Sequence, residues 1–192
     1  MPQLHLLSNG ITTAPGKRNL KKILEGVDLK HKRILLISPP HYEMDAFLVR
    51  VCLHQGFSPG NAEVFAAGKG LQEKYDYVYV TEGNTFEILK FLQENDLLEI
   101  IRDLVLAKNT EFIGASAGAV LAGKDVKLAL DFDKNRAGIT DYEALHLFDG
   151  AVIPHYTKEN LKQYLRNSQK DSVDCYNCIY NIADGRMKIL KV

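Results

Sequence analysis

The stretch Glu111-Phe112-Ile113-Gly114-Ala115-Ser116-Ala117-Gly118-Ala119-Val120 decides the fold. An apolar run enters it, and small residues leave it as the start of a helix would. Between them, Gly114-x-Ser116-x-Gly118 has the spacing of a serine held at the tip of a sharp strand-to-helix turn. Small neighbours permit the tight backbone and leave the serine oxygen open to a substrate. Taken as strand, turn and helix, the stretch makes Ser116 a candidate nucleophile. Taken only as a tight turn before a helix, it carries no chemistry.

Working outward, apolar runs alternate with helical patterns. Leu4–Ser8, Arg33–Ser38, Tyr77–Val80 and the run around Ala151–Ile153 read as strands. Thr12–Val27, His41–His54, Asn84–Leu92, Leu97–Ala107 and the residues from Ala117 onward read as helices, and Lys158–Asn167 as a polar one. In the second of these, Met44, Phe47, Leu48, Val51 and Cys52 share a face, and Gly56 closes it. The end of the chain, Cys175–Ile182 and Met187–Val192, reads as a β-hairpin turned at Asp184-Gly185. This order predicts a three-layer α/β/α fold with a mostly parallel sheet, as a single domain over residues 1–192. Ligands of such sheets bind beyond the carboxyl ends of the strands, where Ser116 and Glu82-Gly83-Asn84 both fall.

Composition narrows the function classes. The chain has 192 residues, 46% of them hydrophobic, and a formal net charge of +0. No basic stripe points to nucleic acid or an anionic membrane surface, no apolar run has membrane-span length, and the N-terminal MPQLHLLSNG does not read as a signal peptide. The expectation is a cytoplasmic protein, a monomer or small homo-oligomer, with no nucleic-acid or membrane partner. The three cysteines, Cys52, Cys175 and Cys178, make no disulfide framework. Cys175-Tyr176-Asn177-Cys178 is formally C-x-x-C, but no second pair completes a zinc set, so no metal and no cofactor is expected.

A serine hydroxyl needs a base, usually a histidine oriented by a carboxylate. Of the six histidines, His155 follows an apolar strand and Pro154, which places it on the rim expected for Ser116; His41, after Pro39-Pro40, is second by the same logic. Asp184 follows an apolar run and is a candidate orienting acid, although Asp-Gly is also a common turn pair. Asp131 and Asp133 are the alternatives. The amides of Ala117 and Gly83 are candidate oxyanion donors, and Asn84 is a candidate helix cap.

Three segments together resemble the peptidase E (α-aspartyl dipeptidase) family of serine peptidases. Glu82-Gly83-Asn84-Thr85-Phe86 is similar to its Gly-Gly-Asn-Thr-Phe segment, Ser116-Ala117-Gly118-Ala119 to its nucleophile segment, and Pro154-His155-Tyr156 to its Pro-His-Phe segment. The resemblance implies a class I glutamine amidotransferase-like (flavodoxin-like) architecture. It implies Ser116 as nucleophile, His155 as base, Asp184 as acid, and Gly83 with Ala117 in the oxyanion hole. The expected activity is hydrolysis of short peptides, including dipeptides with N-terminal Asp, with Asn84 and Lys158 as candidate substrate-binding residues. Two departures bear on this. Glu82 stands where the family has glycine, and a carboxylate beside an oxyanion hole repels the developing charge unless it points away or is paired. The family's arginines after the histidine are replaced by Thr157-Lys158-Glu159-Asn160-Leu161-Lys162, with no arginine before Arg166. Lysine lacks the bidentate fork that suits a carboxylate, and these lysines also suit a solvated helix face. The alternatives are a catalytically weak homologue that binds a small peptide or amino acid on the same rim, and a glutamine-hydrolysing amidotransferase-like domain, which would want a cysteine at the elbow.

Overall fold

The computed structural model describes residues 1–159 and 176–192. In chain order the elements are β1 (Gln3–Leu7), α1 (Ala14–Ile23), β2 (Ile34–Ile37), α2 (Asp45–Gln55), β3 (Ala62–Val64), β4 (Tyr77–Val80), α3 (Thr85–Glu94), α4 (Leu97–Leu106), β5 (Glu111–Ala115), α5 (Ala117–Leu121), β6 (Ala151–Ile153), β7 (Ile179–Asn181) and β8 (Met187–Lys191). Six strands form one sheet in the order β3-β2-β4-β5-β1-β8. Its first five strands are parallel, and β8 joins β1 antiparallel. The fold is the expected α/β arrangement with a mostly parallel sheet.

The strands are nearly all apolar because both faces of the sheet are covered. Alternate residues serve opposite layers. Leu35, Ile37, Val78, Val80 and Phe112 pack with α3, α4 and α5, while Ile34, Leu36, Tyr77, Tyr79 and Ile113 pack with α1 and α2. Burying one such Leu, Ile or Phe side chain contributes about 1.5–3 kcal/mol. Thr13 starts α1, its Oγ1 accepting from the Gly16 amide, and Pro15 fits the first turn. Asn84 caps α3, and Gly56 in the left-handed region closes α2.

The layers explain where a site can form. The chain leaves β1 toward the α1/α2 layer and leaves the adjacent β5 toward the α5 layer. It likewise leaves β2 and its neighbour β4 for opposite layers. Connections that diverge from neighbouring strands open a crevice at their carboxyl ends. Ser116 follows β5 and Gly83 follows β4, so both lie on this rim.

The expected C-terminal hairpin does not form. β7 pairs parallel with β6 in a separate two-stranded sheet, and β8 runs along the whole of β1, from Gln3 opposite Lys191 to Leu7 opposite Met187. A hairpin would have left the outer edge of β1 with unpaired amides and carbonyls; β8 satisfies them. Asp184-Gly185 is a turn, with Gly185 at φ 76, but it carries the chain from the small sheet to the large one. β3 was not legible as a strand, and α2 begins at Asp45, after a short 3-10 turn at Pro40–Tyr42. Most of the expected helix at 158–167 lies outside the described residues, as do Lys162, Arg166 and Cys175. No helix among the described residues is long and apolar enough to cross a membrane.

The elbow is held by close backbone approach. A Cβ on Gly118 would lie 2.2 Å from the Val80 carbonyl oxygen, and one on Gly114 would lie 2.5 Å from the Gly118 carbonyl oxygen. Gly118→Ala is therefore expected to lower the unfolding free energy by about 3 kcal/mol, whereas Gly70→Ala, whose added carbon meets nothing within 4 Å, should change it little. Urea denaturation of the two variants checks both.

Candidate active site

Ser116 sits between β5 and α5 at φ 51, ψ −108, a conformation that non-glycine residues adopt at a cost of about 1–3 kcal/mol. Two backbone bonds hold it there: the Ser116 N–H donates to Leu7 O at 2.9 Å, and the Gly118 N–H donates to Thr81 O at 3.2 Å. The turn is thus tied to β1 on one side and to the end of β4 on the other.

His155 reaches the serine from the small sheet. Its Nε2 lies 2.9 Å from Ser116 Oγ, and its Nδ1 lies 2.6 Å from Asp184 Oδ1. An ionised carboxylate only accepts, so Nδ1 carries the proton and donates to Asp184, leaving the Nε2 lone pair facing the serine hydroxyl. The hydrogen bond from His155 above all holds the Asp184 carboxyl below its ordinary range; burial opposes it, and donors on Ser8 and Asn9 add to the lowering. His155, like Ser116, has a left-handed backbone, at φ 53.

Beside Ser116 lies a cavity of about 340 Å³ lined by Gly83, Thr85, Ser116, Ala117, Phe132, Asp133, Pro154 and His155. Gly83 stands at φ 150 with the Tyr42 ring so close that a Cβ would lie 2.4 Å from it. Only glycine fits there. Tyr42 Oη accepts from the Asn84 amide at 3.0 Å and donates to Glu87 at 3.0 Å, while burial above all pushes its hydroxyl up to about 12. The Ala117 amide begins α5 beside the serine. Both candidate oxyanion donors therefore line the same cavity as the candidate nucleophile.

Of the remaining candidates, Asp133 alone lines this cavity. Asn84 does not line the cavity; its Oδ1 accepts from the Phe86 and Glu87 amides, and its Nδ2 donates to Lys134 O. Lys158 is exposed and does not line it either. His41 pairs with Glu87 at 3.3 Å. Asp133 lines the cavity with its Oδ2 accepting from the amide and hydroxyl of Thr85, whereas Asp131 does not line it. Ser8, Asn9, Tyr42 and Phe132 are the participants that sequence reasoning missed. Ser8 and Asn9 had a usable signal, since they follow the first apolar strand and so belong to the same rim.

Glu82 turns away from this cavity. Its Oε1 accepts from the amide and hydroxyl of Thr12, at 3.1 and 2.5 Å, and its Oε2 from Tyr79 at 2.8 Å. The carboxylate is spent on the entrance to α1 and faces no candidate oxyanion donor.

The sequence profile of peptidase family S51 matches residues 64–189, well over half of the 192-residue chain. A protein of Listeria monocytogenes named as an uncharacterised peptidase is 35% identical over 92 residues, 47% of this chain and 44% of that protein. Peptidase E of Haemophilus influenzae is 31% identical over 99 residues, 52% of this chain and 44% of that protein. The chain thus spans less than half the length of these relatives in alignment. A crystal structure of a Listeria monocytogenes protein provisionally assigned as peptidase E superposes with a TM-score of 0.70 at 24% identity, covering 100% of this chain and 99% of that one, a likeness of fold.

Two outcomes follow from the geometry. Glu82→Gly removes four hydrogen bonds onto one carboxylate and is expected to cost about 2 kcal/mol of stability without raising hydrolytic activity, as read by thermal unfolding and turnover. The bonds onto Asp184 stabilise the fold above the ordinary carboxylate value of about 3.9 and lose effect as pH falls through its depressed folded value. The Tm difference between the wild type and Asp184→Ala should therefore be present at neutral pH and close in acid.

Proposed function

The chain belongs to peptidase family S51, and on that premise we propose that it is a serine-type peptidase acting on short peptides. The observation that carries this reading is the continuous run from Ser116 Oγ to His155 Nε2 at 2.9 Å and from His155 Nδ1 to Asp184 Oδ1 at 2.6 Å. A nucleophile, a base and an orienting acid in hydrogen-bond contact are what acyl transfer by serine requires.

In the proposed reaction His155 Nε2 takes the Ser116 proton as Oγ attacks the scissile carbonyl. The Gly83 and Ala117 amides donate to the oxygen that becomes negative, and Asp184 stabilises the cationic imidazole. His155 then gives its proton to the leaving amine as the C–N bond breaks. Water, deprotonated by the same imidazole, releases the acyl group and restores Ser116. The Asp133 carboxylate lines the cavity, and the group it suits is the ammonium of a free peptide N-terminus, which favours short peptides over protein interiors. Phe132 and Pro154 offer apolar surface to the neighbouring residue of such a peptide.

A fluorophosphonate that carries a reporter group is expected to label Ser116 in the wild type and not in Ser116→Ala. Against a dipeptide panel that includes N-terminal Asp, Ser116→Ala should lose about 10⁴-fold or more in kcat and Asp184→Asn about 10²–10⁴-fold. Equal turnover by the wild type and Ser116→Ala would remove the proposal.

A further inference from the structure

Asp184 is an exposed acid. Its side chain is 68% accessible and that of His155 is 47%, so neither is fixed by packing alone. An ion pair this open is screened by water and salt and contributes little by itself. Both groups also lie where the chain has little regular structure: Asp184 in the turn before β8, and His155 just past β6 with a left-handed backbone. Something else holds them to Ser116.

The loop that follows β1 supplies it. Ser8 is fully buried, and its hydroxyl makes two bonds at once: Oγ accepts from the His155 backbone N–H at 2.9 Å and donates to Asp184 Oδ1 at 3.1 Å. Asn9 is the second anchor. Its Nδ2 donates to Asp184 Oδ1 at 3.2 Å, and its Oδ1 accepts from the Gly185 amide. The Ser8 amide in turn donates to Arg186 O at 3.1 Å, beyond the same turn. One hydroxyl therefore joins the strained backbone of the candidate base to the carboxylate of the candidate acid. The loop is itself fastened from the far side, because Glu82 binds Thr12 and packs so closely on Gly10 that a Cβ there would overlap its carboxyl group.

We propose that Ser8, assisted by Asn9, is a positioning residue of the Ser116 site, its hydroxyl locking the His155 main chain and the Asp184 carboxylate into one geometry. The inference rests on the Ser116–His155–Asp184 reading above. Ser8 touches no reacting atom; it acts through His155 and Asp184. Displacement of a catalytic group by about 1 Å can cost on the order of 10²-fold in rate, so loss of this bond should be visible in the chemical step.

The test measures the rate at which a small alkyl fluorophosphonate labels Ser116 in the whole protein, with thermal unfolding in parallel. Ser8→Ala is expected to slow inactivation by about 10- to 100-fold and Asn9→Ala by about 3- to 10-fold. The loss should appear in the maximal inactivation rate, with the half-saturating probe concentration within about two-fold of wild type. A purely structural residue would lower the Tm and leave the rate per folded molecule unchanged. Non-additivity supplies the second readout. In an Asp184→Asn background the Ser8→Ala penalty should shrink to less than about a third, and that of Asn9→Ala should vanish. Wild-type labelling rates in folded Ser8→Ala, or penalties undiminished in Asp184→Asn, would overturn the inference while leaving the nucleophile reading intact. A wild type that does not label at Ser116 overturns that reading and this inference with it. If Ser8→Ala does not fold, Asn9→Ala, at a half-buried position, decides by the same measure.

Discussion

The fold and the site depend on one close contact, between the first turn of α5 and the end of β4. Gly118 approaches the Val80 carbonyl so tightly that no side chain fits, and Gly114 approaches Gly118 in the same way. This contact draws the helix onto the sheet and forces the link between β5 and α5 into a single residue. That residue is Ser116, which takes a left-handed φ of 51 as the consequence. The strain of about 1–3 kcal/mol at such a residue is offset by the bonds to Leu7 and Thr81 and by the core of α3, α4 and α5 beneath it. A side chain at either glycine would collide with backbone and force these segments apart, disturbing the turn that carries the serine.

Legibility in the sequence followed the range of the interactions involved. β4 was readable because Tyr77-Val78-Tyr79-Val80 is buried on both sides and carries its pattern locally. The elbow was readable because Gly114 and Gly118 act within a few residues of Ser116. β8 was readable as a strand but not in its pairing, since its partner is β1, at the other end of the chain. The Asp184-Gly185 pair favoured a local hairpin, and the long-range need of the β1 edge for a partner overrode it. β3, Ala62-Glu63-Val64, has a glutamate between its apolar residues and so lacks the continuous apolar run that made the equally short β6 readable.

The site divides in the same way. Ser116, His155 and Gly83, which line one cavity, stand out as candidates by position at strand ends. Tyr42 and Ser8 do not, because their importance lies in what they hold: Tyr42 fills the space above Gly83 and receives the Asn84 amide, and Ser8 joins His155 to Asp184. Asn84 read correctly as a cap, and that role occupies its Oδ1 and one Nδ2 donor. Residues that support others through a single hydroxyl leave no pattern in a sequence, since any buried serine or tyrosine looks alike until its partners are known.

Glu82 shows how a departure from a family pattern can be absorbed. In place of glycine, a carboxylate next to Gly83 threatens the charge that develops in acyl transfer. The chain answers by supplying neutral donors on the opposite layer: Thr12 with two, Tyr79 with one, and a longer contact from Thr81. Thr12 lies at the entrance to α1, whose amino-terminal end is the favourable pole for an anion by about 0.3–1 kcal/mol. Burial, with the adjacent Glu82 charge adding to it, holds the Tyr79 hydroxyl well above its ordinary range, so it stays protonated and continues to donate. The negative charge is thereby held away from the candidate oxyanion donors. It also fastens the loop from Ser8 to Thr13 that faces His155 and Asp184, so the residue that looked like an obstacle to catalysis becomes part of the frame that the candidate triad leans on.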